Sequence, residues 1–140
     1  RNFDRQSFKN FHPGGKIGKN LRTLKEIMNT DIPLVLQKSK VLEAVIIMTK
    51  KKYGCAIIVD SKKNIKGVVT DGDLRRSLNV NILESNVTKI MRTNPILAKK
   101  NTLISTAINK MNNNSITSLI ISEQNKAIGI VNLKKCLDNE

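Results

Sequence analysis

With 140 residues and 39% hydrophobic content, the chain suits one globular domain or two small repeats sharing a core, and no apolar run approaches the length of a membrane span. Its 25 Lys and Arg against 11 Asp and Glu leave a formal charge of +14, which raises nucleic acid as a partner. The basic residues are scattered from Lys50-Lys51-Lys52 to Lys134-Lys135 and only 3% of residues are aromatic, so a solvated lysine-rich surface is expected rather than a specific nucleic-acid face.

Residues 1–23 are polar and basic, punctuated by Pro13, Gly14, Gly15 and Gly18, and read as a linker or extended arm. The stretch around Gly14-Gly15-Lys16-Ile17-Gly18-Lys19 is no Walker loop: Pro13 stands where the first Gly belongs, and Asn20 where Ser or Thr belongs. The chain starts at Arg1 without an initiator Met, so it is expected to be a piece of a longer protein. No secretory signal is evident, and reduced thiols in a cytoplasmic setting are expected for Cys55 and Cys136. Two distant Cys and one His, His12, do not make a zinc site, so no metal is predicted.

From Leu24 the sequence repeats. Leu24-Lys25-Glu26-Ile27-Met28-Asn29-Thr30 returns as Val87-Thr88-Lys89-Ile90-Met91-Arg92-Thr93, and Pro33 as Pro95. Ile57-Ile58-Val59 is matched to Leu119-Ile120-Ile121, and Gly67-Val68-Val69 to Gly129-Ile130-Val131, at a period of 62 to 63 residues. The division expected is 24–82 for the first copy and 83–140 for the second.

Each copy opens on a short helical turn, then a Pro and a brief extended segment, Leu34–Leu36 or Ile96–Ala98. An amphipathic helix follows. The first is expected near Val41–Lys51, capped by Ser39, with Val41, Leu42, Val45 and Met48 inward. The second is expected near Leu103–Asn112, capped by Thr102, with Leu103, Ala107, Ile108 and Met111 inward. Two strands joined by a polar turn come next, Cys55–Val59 with Ile65–Val69 and Ser118–Ile121 with Ala127–Val131, and a last helix closes each copy, Asp71–Leu78 or Leu133–Asp138. The fold class is therefore α/β: β-α-β-β-α, twice. A unit of about 60 residues has a thin core, so the two copies should pair across their apolar faces.

The stretch Gly67-Val68-Val69-Thr70-Asp71-Gly72-Asp73-Leu74-Arg75-Arg76 runs from strand into helix. Thr70 sits at the N-cap and Asp73 three positions later, the spacing of a capping box. This pattern explains itself as a well-made helix start. It also places a hydroxyl and a carboxylate side by side, as half of a nucleotide site would need.

The repeat, with Gly67, Thr70 and Asp73 at Gly-hydrophobic-x-Thr/Ser-x-x-Asp spacing, resembles a tandem pair of cystathionine-β-synthase (CBS) domains, a Bateman module. Phe11-His12-Pro13-Gly14-Gly15 ahead of it and Thr70-Asp71-Gly72-Asp73-Leu74-Arg75-Arg76 within it resemble the C-terminal part of the D-arabinose-5-phosphate isomerases. Those enzymes interconvert ribulose 5-phosphate and arabinose 5-phosphate for Kdo, hence for lipopolysaccharide or capsule, and carry a sugar-isomerase (SIS) domain before the CBS pair. The resemblance implies that Thr70 contacts a nucleotide phosphate and Asp73 the ribose hydroxyls. The base would lie against Pro33, Gly54, Cys55 and Ala56, with Arg75 or Arg76 supplementing the phosphate contact. In the second copy Asn132 and Lys135 replace Thr70 and Asp73. Lys cannot accept from a ribose hydroxyl, so that site is expected to be degenerate as a nucleoside pocket, unless Lys135 lends charge to a phosphate held by the first copy. His12 would contribute to catalysis only in the full enzyme.

No nucleophile–base constellation is present, so the chain is read as non-enzymatic by itself, a regulatory module of an isomerase. The resemblance implies AMP, ATP, CMP or CMP-Kdo as regulatory ligand, the SIS domain as partner, and a homodimer within a tetrameric enzyme. The alternative reading is a ligand-free dimerisation or packing module.

Overall fold

The computed structural model describes residues 21–79 and 81–140. Its elements are α1 (Leu24–Ile27), β1 (Leu34–Leu36), α2 (Val41–Lys51), β2 (Cys55–Val59), β3 (Ile65–Thr70) and α3 (Asp71–Arg76), then 3-10 turns at Ile82–Glu84 and Val87–Lys89. The second copy supplies β4 (Leu97–Ala98), α4 (Ile104–Asn113), β5 (Ser118–Glu123), β6 (Lys126–Asn132) and α5 (Leu133–Asp138). The described residues form two three-stranded sheets, β1-β2-β3 and β4-β5-β6, each with a parallel first pair and an antiparallel second pair. The expected β-α-β-β-α order is observed in both copies.

Every residue of β2 is buried, because both faces of the strand are covered. Ala56 and Ile58 face the helix layer with Val35, Ala44 and Met48. Cys55, Ile57 and Val59 face the opposite way and share a core with Ile120 and Ile130 of the second copy. The copies thus pair sheet to sheet, as a thin core demands.

The register corrects the repeat alignment by one residue. Ile57 lies opposite Leu34 and Val68, and Ile120 lies opposite Leu97 and Ile130, so Ile57 corresponds to Ile120 and not to Leu119. The reason is a shorter second hairpin, which closes at Glu123 opposite Lys126, whereas Val59 and Ile65 bracket a longer loop. Because side chains alternate along a strand, a slip of one would exchange the faces.

The helices also depart in detail. α2 buries Val41, Ala44 and Met48, at i, i+3 and i+7, while Leu42 and Ile46 stay 39% and 51% exposed. Leu42, one position along, points about 100° away from Val41. α4 begins one residue later than expected and buries Ile104, with Leu103 at the cap position. Neither Ser39 nor Thr102 caps; the cap positions hold Lys40 and Leu103, and the Thr102 hydroxyl instead accepts from Lys99 N at 3.2 Å.

The copies exchange their leading segments. Leu24 and Ile27 pack with Ile104, Leu119 and Val131 of the second copy, and Val87 packs with Val35, Ala44 and Val69 of the first. Asn29 pairs with Ile130 through two backbone hydrogen bonds, at 2.8 and 2.9 Å, and Arg92 pairs with Val68 through two at 2.9 Å. Each sheet is therefore completed at one edge by chain from the other copy.

Candidate functional site

The site is built where β3 turns into α3. The β-branched run Val68-Val69 ends on Thr70, whose extended backbone leaves the strand and whose hydroxyl accepts from Asp73 N at 3.2 Å. Asp73 returns the contact: its Oδ2 accepts from Thr70 N at 2.9 Å and from Thr70 Oγ1 at 3.0 Å. The other oxygen, Oδ1, accepts from Arg76 Nη2 at 2.7 Å and from Arg92 Nε at 2.9 Å. Asp73 is 6% exposed. Burial pushes its carboxyl upward, but the Thr70 backbone bond and the two guanidiniums outweigh that and hold it below the ordinary 3.8.

Arg92 was not singled out from the sequence. It reaches Asp73 because its backbone is zipped onto Val68, an arrangement that follows from the exchanged segments. Gly67 makes the approach possible, since a Cβ there would stand 2.5 Å from Arg92 O. Arg75 is exposed, with no side-chain hydrogen bond or ion pair among the described residues; Arg76 is the helix arginine that engages Asp73.

The second copy reverses the charges. Asn132 Oδ1 caps α5 by accepting from Lys135 N at 2.7 Å, Lys135 is exposed, and Asp138 and Asn29 stand where Arg76 and Arg92 stand in the first copy. The helix starts equally well without a buried carboxylate.

The residues expected to hold a base are partly assembled. Cys55 is the register partner of Thr70, Gly54 O accepts from Asp71 N at 3.1 Å, and the Pro33 carbonyl accepts from Ile57 N at 2.8 Å. Gly54 has a φ of +72°, which favours glycine. Strand alternation separates the other two: Cys55 looks into the inter-sheet core, whereas the Ala56 side chain is fully buried in the helix-side core. Burial, with a smaller push from Asp71, drives the Cys55 thiol up to about 12. Tyr53, beside Gly54, packs on the inter-sheet core and accepts from Asn29 Nδ2 at 3.0 Å. A cavity of about 340 Å³ lies between α2 and the start of α3, lined by Val45, Met48, Lys52, Gly54, Asp71 and Leu74. It meets the expected slot at Gly54 and otherwise lies on the helix side. His12 and the Gly-rich arm lie outside the described residues. Among the described residues there is no His/Cys/Asp/Glu cluster fit for a metal ion, and no helix is long and apolar enough to cross a membrane.

The CBS-domain family profile matches residues 24–80 and 87–139. A Rickettsia prowazekii protein, RP505, is 39% identical over 98% of the chain and 44% of its own length. Arabinose 5-phosphate isomerase KdsD of Yersinia pestis is 31% identical over 98% of the chain and 43% of its own length. The chain thus spans less than half the length of these curated relatives. Among solved structures, a conserved protein from Pyrococcus horikoshii superposes with a TM-score of 0.74 at 26% identity, over 85% of this chain and 92% of the other. The CBS domain pair of protein MJ0100, solved with 5'-methylthioadenosine and S-adenosyl-L-methionine, superposes with a TM-score of 0.75 at 21% identity, over 84% and 94% of the two chains, a likeness of fold.

Proposed function

Because the chain belongs to the CBS-domain family, we propose that it serves as the nucleotide-binding regulatory pair of an arabinose-5-phosphate isomerase. The observation that carries this reading is the retention of a buried carboxylate, Asp73, at a helix start that the second copy makes with Asn132 alone. Thr70 and Asp73 would take the phosphate and ribose ends of one ligand, and Pro33, Gly54 and Cys55 would border its base. The candidates are AMP, ATP, CMP and CMP-Kdo; the adenosyl ligands of MJ0100 support the adenine class. Catalysis, the conversion of ribulose 5-phosphate to arabinose 5-phosphate, would reside in a SIS domain of the same protein, in the cytoplasm. A ligand that prefers one arrangement of the pair would shift that domain by linkage.

The ligand-free packing module keeps one observation in its favour. All four acceptor directions of the Asp73 carboxylate are already used within the chain. A thermal-shift screen with the four nucleotides separates the readings. A ligand at a hundred times its dissociation constant stabilises by about 2.7 kcal/mol, on the order of 10 °C for a chain of this size. A shift that Asp73→Ala removes is the expected result; no shift with any nucleotide leaves the packing module.

A further inference from the structure

We infer that Arg92, with Arg76, is a displaceable latch on Asp73 that selects phosphorylated nucleosides over neutral ones, an inference that rests on the nucleotide-binding reading. A carboxylate offers about four lone-pair directions. Two are taken on Oδ2 by Thr70, and two on Oδ1 by Arg76 and Arg92. A ribose hydroxyl can bind Asp73 only if a donor leaves. The Thr70 contacts belong to the capping box and cannot leave without unwinding the helix start. The two arginine side chains are each 60% exposed, so water receives them at little cost. Oδ1 is therefore the oxygen that opens.

Once displaced, the guanidiniums remain at the mouth of the site, because Arg92 is anchored by its backbone bonds to Val68 and Arg76 by α3. A neutral nucleoside breaks both ion pairs and offers nothing in return. A nucleotide presents a phosphate, which a guanidinium binds in bidentate fashion. The ligand class is thus an anionic nucleotide, its sugar hydroxyls on Asp73 and its phosphate beside Thr70, held there by Arg92 and Arg76. The second copy, with Lys135, Asp138 and Asn29 at these places, has no such exchange to make, so one nucleotide binds per pair of copies.

The test is calorimetric titration of the intact chain with AMP against adenosine and CMP against cytidine, in wild type, Arg92→Ala and Arg76→Ala. Wild type is expected to prefer a nucleotide over its nucleoside. Arg92→Ala should weaken the nucleotide about tenfold, the loss of one charged hydrogen bond, and tighten the nucleoside, whose competitor is gone. Arg76→Ala should move both affinities the same way, and its exposed side chain keeps the test valid if Arg92→Ala fails to fold. Nucleotide binding with an unchanged nucleotide-to-nucleoside ratio in both variants overturns the latch and leaves the regulatory reading standing. Absence of binding by every ligand to every variant overturns both.

Discussion

Asp73 carries opposed demands, since a buried carboxylate costs desolvation and its four hydrogen bonds offset it. Asp73→Asn keeps the shape but loses the charge, and should destabilise the fold by about 1–3 kcal/mol at neutral pH, read from urea unfolding. The folded-state carboxyl titrates below 3.8, so its contribution is complete above that pH and fades as pH falls through the folded value. Wild type and variant should therefore converge in strong acid; an equal gap at neutral and very low pH would refute the ion-pair account. The two thiols make a second residue-level case. Burial drives Cys55 to about 12 and Cys136 to about 11, so neither should react with a disulfide reagent at about pH 8 in the native state, while both should react in denaturant. Thr70 and Asp73 were legible in the sequence because a capping box is local, its two partners only three positions apart. Arg92 was not, because its contact spans 19 residues and depends on an edge pairing that no local pattern announces.

Among the elements, β3 and α3 show how one glycine constrains and another does not. At Gly67 an added Cβ would meet Arg92 O at 2.5 Å and Met91 Sδ at 2.9 Å, the first of these a backbone atom that cannot swing aside. Gly67→Ala should therefore cost about 1–3 kcal/mol through displacement of the crossing segment, and lower the melting temperature. At Gly72 the nearest atom is the tip of Arg76 at 3.2 Å, the far end of a flexible and exposed side chain. Gly72→Ala, in the first turn of α3, should leave stability unchanged or raise it by about 0.5–1 kcal/mol. Equal losses at the two positions would contradict this. The strands were readable because β-branched runs between polar turns leave few alternatives. The inward face of α2 was misread because its apolar residues run Val41-Leu42, then Ala44-Val45-Ile46-Ile47-Met48, and so fit more than one stripe. Only packing against Val35, Ala56 and Ile58 chose the one through Ala44.

In the whole molecule, the pairing of two thin cores followed from the repeat, but the exchange of leading segments did not, since either partner would bury Leu24 or Val87 equally well on sequence grounds. The exchange ties each copy to the other at both a core and a sheet edge, so the pair should unfold as one unit rather than as two. The same symmetry exposes a difference on the outside. α2 presents Leu42 and Ile46 on its outer side, whereas the matching positions of α4, Ser105 and Asn109, are polar. An exposed apolar stripe on one copy only is what a partner surface would leave behind. The homodimer proposed for this family module would bury it against a second copy of the chain. Ile46→Glu should then convert dimer to monomer in sedimentation velocity while leaving the melting curve of the monomer intact, since Ile46 is half exposed and lies outside the core clusters. A wild-type chain that sediments as a monomer at every concentration, or an Ile46→Glu chain that still dimerises, would move the interface away from α2.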